Sequence, residues 1–149
     1  MVVLGIDPGP KESAVAYFNG KTVHTDMYLN ETLVSMLSAG IQPAEHYACE
    51  MVQPMGFVVG KEVFETVWWI GRYYEALWAM GTGKTMALIY RSTIKAAIVG
   101  TVRSKDKDVR AALIQRLGKE ATKDVVTHQW AALAVAVYHY DCLKLLGKR

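Results

Sequence analysis

The chain has only two cysteines and four prolines in 149 residues. Cys49 and Cys142 are too few and too far apart for a disulfide framework or a cysteine-rich zinc site. This fits a reduced, cytoplasmic protein. Apolar runs are short, and none reaches the ~18 residues a membrane span needs. The N-terminus, Met1 to Asp7, has no basic leader and meets an acid at once, so no signal peptide is expected. Charged residues are sparse at 21%, but 52% hydrophobic residues exclude a disordered chain. Repeats and low-complexity tracts are absent. The length predicts one domain over residues 1–149, with a core that needs no cross-link.

The net charge of +3 is too small to name a partner, but it is unevenly spread. Residues 1–83 carry four basic and nine acidic side chains, while residues 84–149 carry thirteen basic and five acidic ones. A basic second half suits a polyanion. Scattered solvation charge is the plainer explanation of equal weight.

Apolar patterning and turn signals divide the chain. Val2–Ile6 is a short β-branched run stopped by Asp7-Pro8-Gly9-Pro10, a strand entering a tight turn. Ser13–Phe18 and Thr22–Tyr28 flank Asn19-Gly20, a hairpin signal. Asn30–Ala39 predicts a helix capped by Asn30, Glu45–Met51 a strand, and Lys61–Met80 a long helix with Val63, Val67, Ile70, Tyr74 and Leu77 on its apolar face. Trp68, Trp69, Tyr73 and Tyr74 place aromatics on more than one side of that helix, so one side needs either a partner or cover from the last helices. Thr85–Tyr90 predicts a strand, then Ser92–Val99, Lys105–Leu117 and His128–Leu146 predict helices, the last apolar on most sides. Three antiparallel strands followed by two parallel additions, with helices on both faces, make an α/β protein. This is the order of the ribonuclease H-like fold.

Asp7 ends the first strand and Glu50 stands near the end of the fourth, each in an apolar segment. An acid there loses solvation unless it is paired or binds a cation. Adjacent strand ends bring the two carboxylates together, and a divalent ion relieves their repulsion. Oxygen donors favour Mg²⁺ or Mn²⁺. The plainer alternative has Asp7 capping its own turn and Glu50 in a salt bridge.

Four segments in register carry a resemblance. Gly5-Ile6-Asp7-Pro8-Gly9 is similar to the first motif of the RuvC-type Holliday junction resolvases. Cys49-Glu50-Met51-Val52 is similar to their second motif, with Ile70-Gly71-Arg72 on the long helix that follows. Arg91-Ser92-Thr93-Ile94-Lys95 resembles their basic segment, and Ala132 to Val137 resembles their alanine-rich final helix. The match spans nearly the whole chain, and the length suits the compact, phage-borne members. The resemblance implies a homodimeric endonuclease that cuts four-way DNA junctions with two Mg²⁺ or Mn²⁺, leaving 5′-phosphate and 3′-hydroxyl ends. In a phage-encoded case it would act in the host cytoplasm.

The site residues carry over with departures. The family's last acid, directly before the Ala-Leu-Ala run, is replaced by Ala131, while His128 occupies the ligand position one turn earlier. The expected metal ligands are therefore Asp7, Glu50 and His128, with Thr127 capping the helix and Asp124 as the first candidate to supply the missing acid. Asp141 falls near the opposite helix face at ~100° per residue. Asp106 is a weaker candidate, because Asp106 and Asp108 read as first-turn acids that favour the helix dipole. Strict alignment puts Asp106 on the family's second lysine, which leaves Lys105 or Lys107 to join Lys95 beside the scissile phosphate. Arg91, Arg103, Lys105, Lys107 and Arg110 are expected to meet backbone phosphates. Gln53 stands at the family's junction-wedge position, with Phe57 as the nearby aromatic substitute.

Gly81-Thr82-Gly83-Lys84-Thr85 looks like a phosphate-binding loop, but Trp78 stands where that motif needs its first glycine. The segment also follows a helix and precedes a strand, the reverse of what phosphate binding requires. No nucleotide cofactor is expected. Ala131 motivates a second reading, a branched-DNA-binding protein with little or no cleavage. A third is a ribonuclease H-like protein acting on another nucleic acid.

Overall fold

The computed structural model describes residues 1–41 and 43–147. Its sheet has the order β3-β2-β1-β4-β5. The strands are β1 (Val3–Asp7), β2 (Glu12–Phe18), β3 (Val23–Leu29), β4 (His46–Met51) and β5 (Met86–Tyr90). β1–β2 and β2–β3 pair antiparallel, while β1–β4 and β4–β5 pair parallel. The expected mixed α/β sheet is thus formed, with helices α1 (Asn30–Ser38), α2 (Lys61–Ala79), α3 (Arg91–Val99), α4 (Asp106–Leu117) and α5 (Gln129–Leu146) around it. No helix among the described residues is long and apolar enough to cross a membrane.

The two-residue period of a strand divides the core. Leu4 and Ile6 of β1, with Tyr47 and Cys49 of β4, pack toward α1 and α2. Val3 of β1, Ala48 of β4 and Ile89 of β5 pack toward α3, α4 and α5. By the same alternation, Gly5, Asp7 and Glu50 belong to the α5 side. Parallel pairing of Ile6 with Cys49 puts Asp7 and Glu50 one step further on, as neighbours at the C-terminal edge of the sheet.

α5 lies directly on β1. A Cβ on Gly5 would stand 2.3 Å from the Ala132 carbonyl oxygen and 2.6 Å from the Ala136 nitrogen. Only glycine below and alanines above permit this approach. α5, apolar on most sides, is buried over Ala132–Val137, but its last turns emerge and expose Leu145 and Leu146.

α2 corrects the apolar face read from periodicity. Its buried side is Thr66, Trp69, Ile70, Tyr73, Ala76 and Leu77. Val67 and Tyr74 face outward with Phe64, Trp68 and Trp78. The reason lies in two buried polar anchors. Trp69 Nε1 donates to the Pro10 carbonyl at 3.1 Å, and the Tyr73 hydroxyl donates to Asn30 Oδ1 at 2.7 Å. The last helices leave the outer side uncovered, because α5 packs on the opposite face of the sheet.

Asn30 is likewise not a cap. The N-cap position is Leu29, and the side chain of Asn30 is buried. Its Oδ1 accepts from Ser13 Oγ at 2.8 Å as well as from Tyr73, and its Nδ2 donates to the Gly9 carbonyl at 2.8 Å. This hub ties β2, α1 and α2 to the turn that follows Asp7.

Gly5→Ala is expected to lower the unfolding free energy by about 1–3 kcal/mol, the range for an overpacked core. Urea denaturation checks it, with a lower midpoint at unchanged slope.

Candidate metal and nucleic-acid site

The parallel edge of the sheet brings Asp7 and Glu50 together, and the start of α5 closes over them. His128 Nδ1 lies 3.1 Å from Asp7 Oδ2. Gln129 is buried behind it, its Oε1 accepting from Thr25 Oγ1 at 2.8 Å and from the Val126 backbone N–H at 3.1 Å. That pins the first turn of α5 to β3. Thr127 is not the expected side-chain cap. It holds a left-handed backbone conformation with φ 44°, and His128 itself is the N-cap. A β-branched residue adopts that conformation only when its surroundings impose it. Here it turns the chain so that His128 stands above Asp7.

Asp7 is only 9% exposed. Burial pushes its carboxyl above the usual range, against the opposing pull of His128 and Arg91. Glu50 is also pushed up by burial, with Arg91 opposing and Asp7 adding to the rise. Asp106 adds to the rise at Asp7 as Asp7 does at Glu50, so this cluster of acids favours positive charge. Arg91, the first residue of α3, supplies some of it. Its Nη1 lies 3.2 Å from Glu50 Oε1, and its Nη2 lies 2.6 Å from Asp106 Oδ1. Lys95, one turn along α3, lies 3.4 Å from the same Asp106 oxygen.

A cleft of about 470 Å³ opens beside these groups, between α3, the first turn of α4 and α5. Glu50, Arg91, Lys95, Asp106, His128 and Ala131 line it. A second cleft, of about 840 Å³, runs from Asp7 and Glu50 along the Pro8–Glu12 turn. Asp7, Glu50, His128, Arg91 and Lys95 are therefore brought together. Asp124 is not: it is exposed on the turn before α5 and lines neither cleft. Asp106 stands in the cleft instead.

The two first-turn acids of α4 also separate. Asp108 serves the helix end, accepting from the Lys105 backbone N–H at 2.8 Å. Asp106 turns away to the cations, and the Arg91 hydrogen bond holds its carboxyl below the usual range. Spacing along one helix start treats these acids alike; only the position of α3 distinguishes them.

Arg103, Lys105, Lys107 and Arg110 are exposed around the start of α4, and the Arg110 guanidinium lies 5.0 Å from the Trp130 ring centroid. Gln53 accepts from Ser92 Oγ at 2.8 Å, tethering its loop to α3. Phe57 stands free of the core at 80% exposure. Lys84 of the glycine-rich segment is engaged elsewhere, donating to the Ala44 carbonyl at 3.1 Å.

As placed, no three His, Cys, Asp or Glu side chains among the described residues converge into a cage for a metal ion. Glu50 and Asp106 are turned to the Arg91 guanidinium, a built-in cation. The chemistry of the donors does fit a divalent ion. Two carboxylates and an imidazole suit Mn²⁺, and Mg²⁺ takes one or two carboxylates while keeping its own water.

Because the Asp7 carboxyl titrates above its unfolded value, the native state holds the proton longer. The metal-free protein therefore loses stability as pH rises through that interval. Asp7→Asn removes this cost and is expected to unfold later than the parent at pH 7. The difference should vanish below the ordinary aspartate value of 3.8, as thermal unfolding against pH would show.

No family model matches the chain, and no curated protein does. Solved structures do. The chain is similar to a Thermus thermophilus RuvC structure at TM-score 0.77 and 20% identity, covering 97% of this chain and 96% of that one. It is similar to T. thermophilus RuvC in complex with a Holliday junction substrate at TM-score 0.75 and 20% identity, over 94% and 93%. In its mixed five-stranded sheet and flanking helices, this chain has the ribonuclease H-like fold of RuvC.

Proposed function

We propose that the chain is a divalent-metal-dependent, structure-selective endodeoxyribonuclease of the RuvC type, which resolves four-way or branched DNA junctions. The observation that carries this reading is the strand-end pair of buried Asp7 and half-buried Glu50, with His128 over Asp7, on the fold whose T. thermophilus counterpart was solved with a Holliday junction substrate. A cytoplasmic location fits two free cysteines, one of them buried.

Asp7, Glu50 and His128 would hold a Mg²⁺ or Mn²⁺ ion. When bound, such an ion supplies the charge that activates water and stabilises a leaving 3′ oxygen. The chain's own residues do the rest. Arg91 and Lys95 line the cleft with N–H donors for the scissile phosphate, where fixed positive charge offsets the charge that develops on its oxygens. Arg103, Lys105, Lys107 and Arg110 grip flanking phosphates without reading sequence. Phe57, on the loop tethered through Gln53, offers a face for an unpaired base, worth about 1–3 kcal/mol.

A homodimer matches the two-fold symmetry of a four-way junction. The outward side of α2 supports it. Phe64, Val67, Trp68, Tyr74 and Trp78 form an exposed apolar stripe on the side of the sheet away from the cleft. One observation favours a second reading. Ala131 puts a methyl group on the cleft wall and leaves that position without a donor. A protein that binds junctions and cuts them poorly would look the same.

With a four-way junction and Mg²⁺ or Mn²⁺, the parent is expected to nick opposite strands, leaving 5′-phosphate ends. Asp7→Asn is expected to slow this by ~100-fold or more, since even outer partners of metal ligands cost 10–100-fold. Equal cleavage by parent and variant rejects the metal reading. Tight binding without cleavage under any divalent ion selects the second reading. Equal affinity for junction, duplex and RNA–DNA hybrid removes junction selectivity. Trp68→Glu is expected to shift a dimer to monomer in analytical ultracentrifugation, the loss of a central aromatic anchor costing about 2 kcal/mol or more.

A further inference from the structure

Ala131 and Asp106 both line the cleft. The first brings no donor to it. The second is an acid from another element, carried there by the first turn of α4. Its behaviour is not that of a helix-end residue, since Asp108 already serves the Lys105 N–H. Asp106 instead shares one guanidinium with Glu50: Arg91 Nη2 is 2.6 Å from Asp106, and Nη1 is 3.2 Å from Glu50. Carboxylates from β4 and α4 thus flank a single cation, at the separation one guanidinium fork spans. The side chain of Asp106 is 72% exposed, so it is free to change partners without disturbing the core.

We propose that Asp106 completes the metal site, supplying from α4 the carboxylate that Ala131 on α5 does not. This rests on the metal-dependent reading above. Arg91 is the resident counter-ion of Glu50 and Asp106, and the same two carboxylates would help to hold a divalent ion in its stead. Exchange of one cation for another keeps the two acids neutralised throughout. It also frees the Arg91 guanidinium and the Lys95 ammonium for phosphate oxygens, which a carboxylate would otherwise occupy.

The test is Mn²⁺ binding to the DNA-free chain, followed by electron paramagnetic resonance and calorimetry. Asp106→Asn is expected to raise the Mn²⁺ dissociation constant about tenfold or more, the range for groups in or around a metal's ligand set. Asp108→Asn, two residues along α4, is expected to leave it unchanged. Ala131→Asp, added to Asp106→Asn, is expected to recover the lost affinity. A residue acting only through Arg91 gives a different pattern, because Asp106→Asn would then have no effect in an Arg91→Met background. A ligand retains its effect there. The proposal is overturned if Asp106→Asn binds Mn²⁺ within twofold of the parent while Asp7→Asn does not bind, and the metal reading then still stands. If Asp7→Asn also binds like the parent, both fall.

Discussion

The contact between Gly5 and α5 is the constraint on which the rest of the site depends. A helix normally keeps its distance from a sheet because side chains stand between them. Here the backbone of α5 meets β1 where neither partner has more than a methyl group. Direction and register follow from it. Ala136 and Ala132 lie over Gly5, so the next turn back places His128 over Asp7, two residues further along the strand. Gln129 and Thr127 refine that placement from either side of His128, one by hydrogen bonds to neighbouring elements and one by a strained backbone.

A second constraint is electrostatic. The sheet edge sets buried Asp7 beside half-buried Glu50, and the fold answers with a cation at the first residue of α3. Arg91 begins its helix directly after β5, with no intervening loop, so its position is fixed by the strand as firmly as those of Asp7 and Glu50. The cost of the buried charges is thereby held within a tolerable range while their affinity for positive charge remains. Bracing of the Asp7–Pro10 turn by Asn30, Ser13, Tyr73 and Trp69 restricts the carboxylate from behind.

Much of this was legible in the sequence. Short apolar runs, the Asn19-Gly20 hairpin and the Asp-Pro-Gly-Pro stop mark strands by local chemistry, and Asp7 and Glu50 stand out because they are acids in apolar strands. What was not legible depends on partners distant in the chain. Asn30 reads as a cap because its type favours helix starts, but three buried groups from other elements claim its side chain. The buried face of α2 departs from its apolar periodicity because Trp69 and Tyr73 are amphipathic. Their polar tips find partners inside, so they turn inward at the expense of Val67 and Tyr74. Asp124 is close to His128 in sequence only, whereas Asp106 reaches the cleft because α3 and α4 fold back onto it.

The close seat of α5 also divides its residues into two regimes of freedom. Ala132 and Ala136 press on Gly5, so added volume there would have to displace backbone. Ala131 looks into an open cleft with room to spare. Neighbouring alanines on one helix are therefore locked in one case and open to replacement in the other. The side chains at His128, Ala131 or Asp106 can be replaced without repacking the core, so the lining of the cleft can drift while the architecture stays fixed.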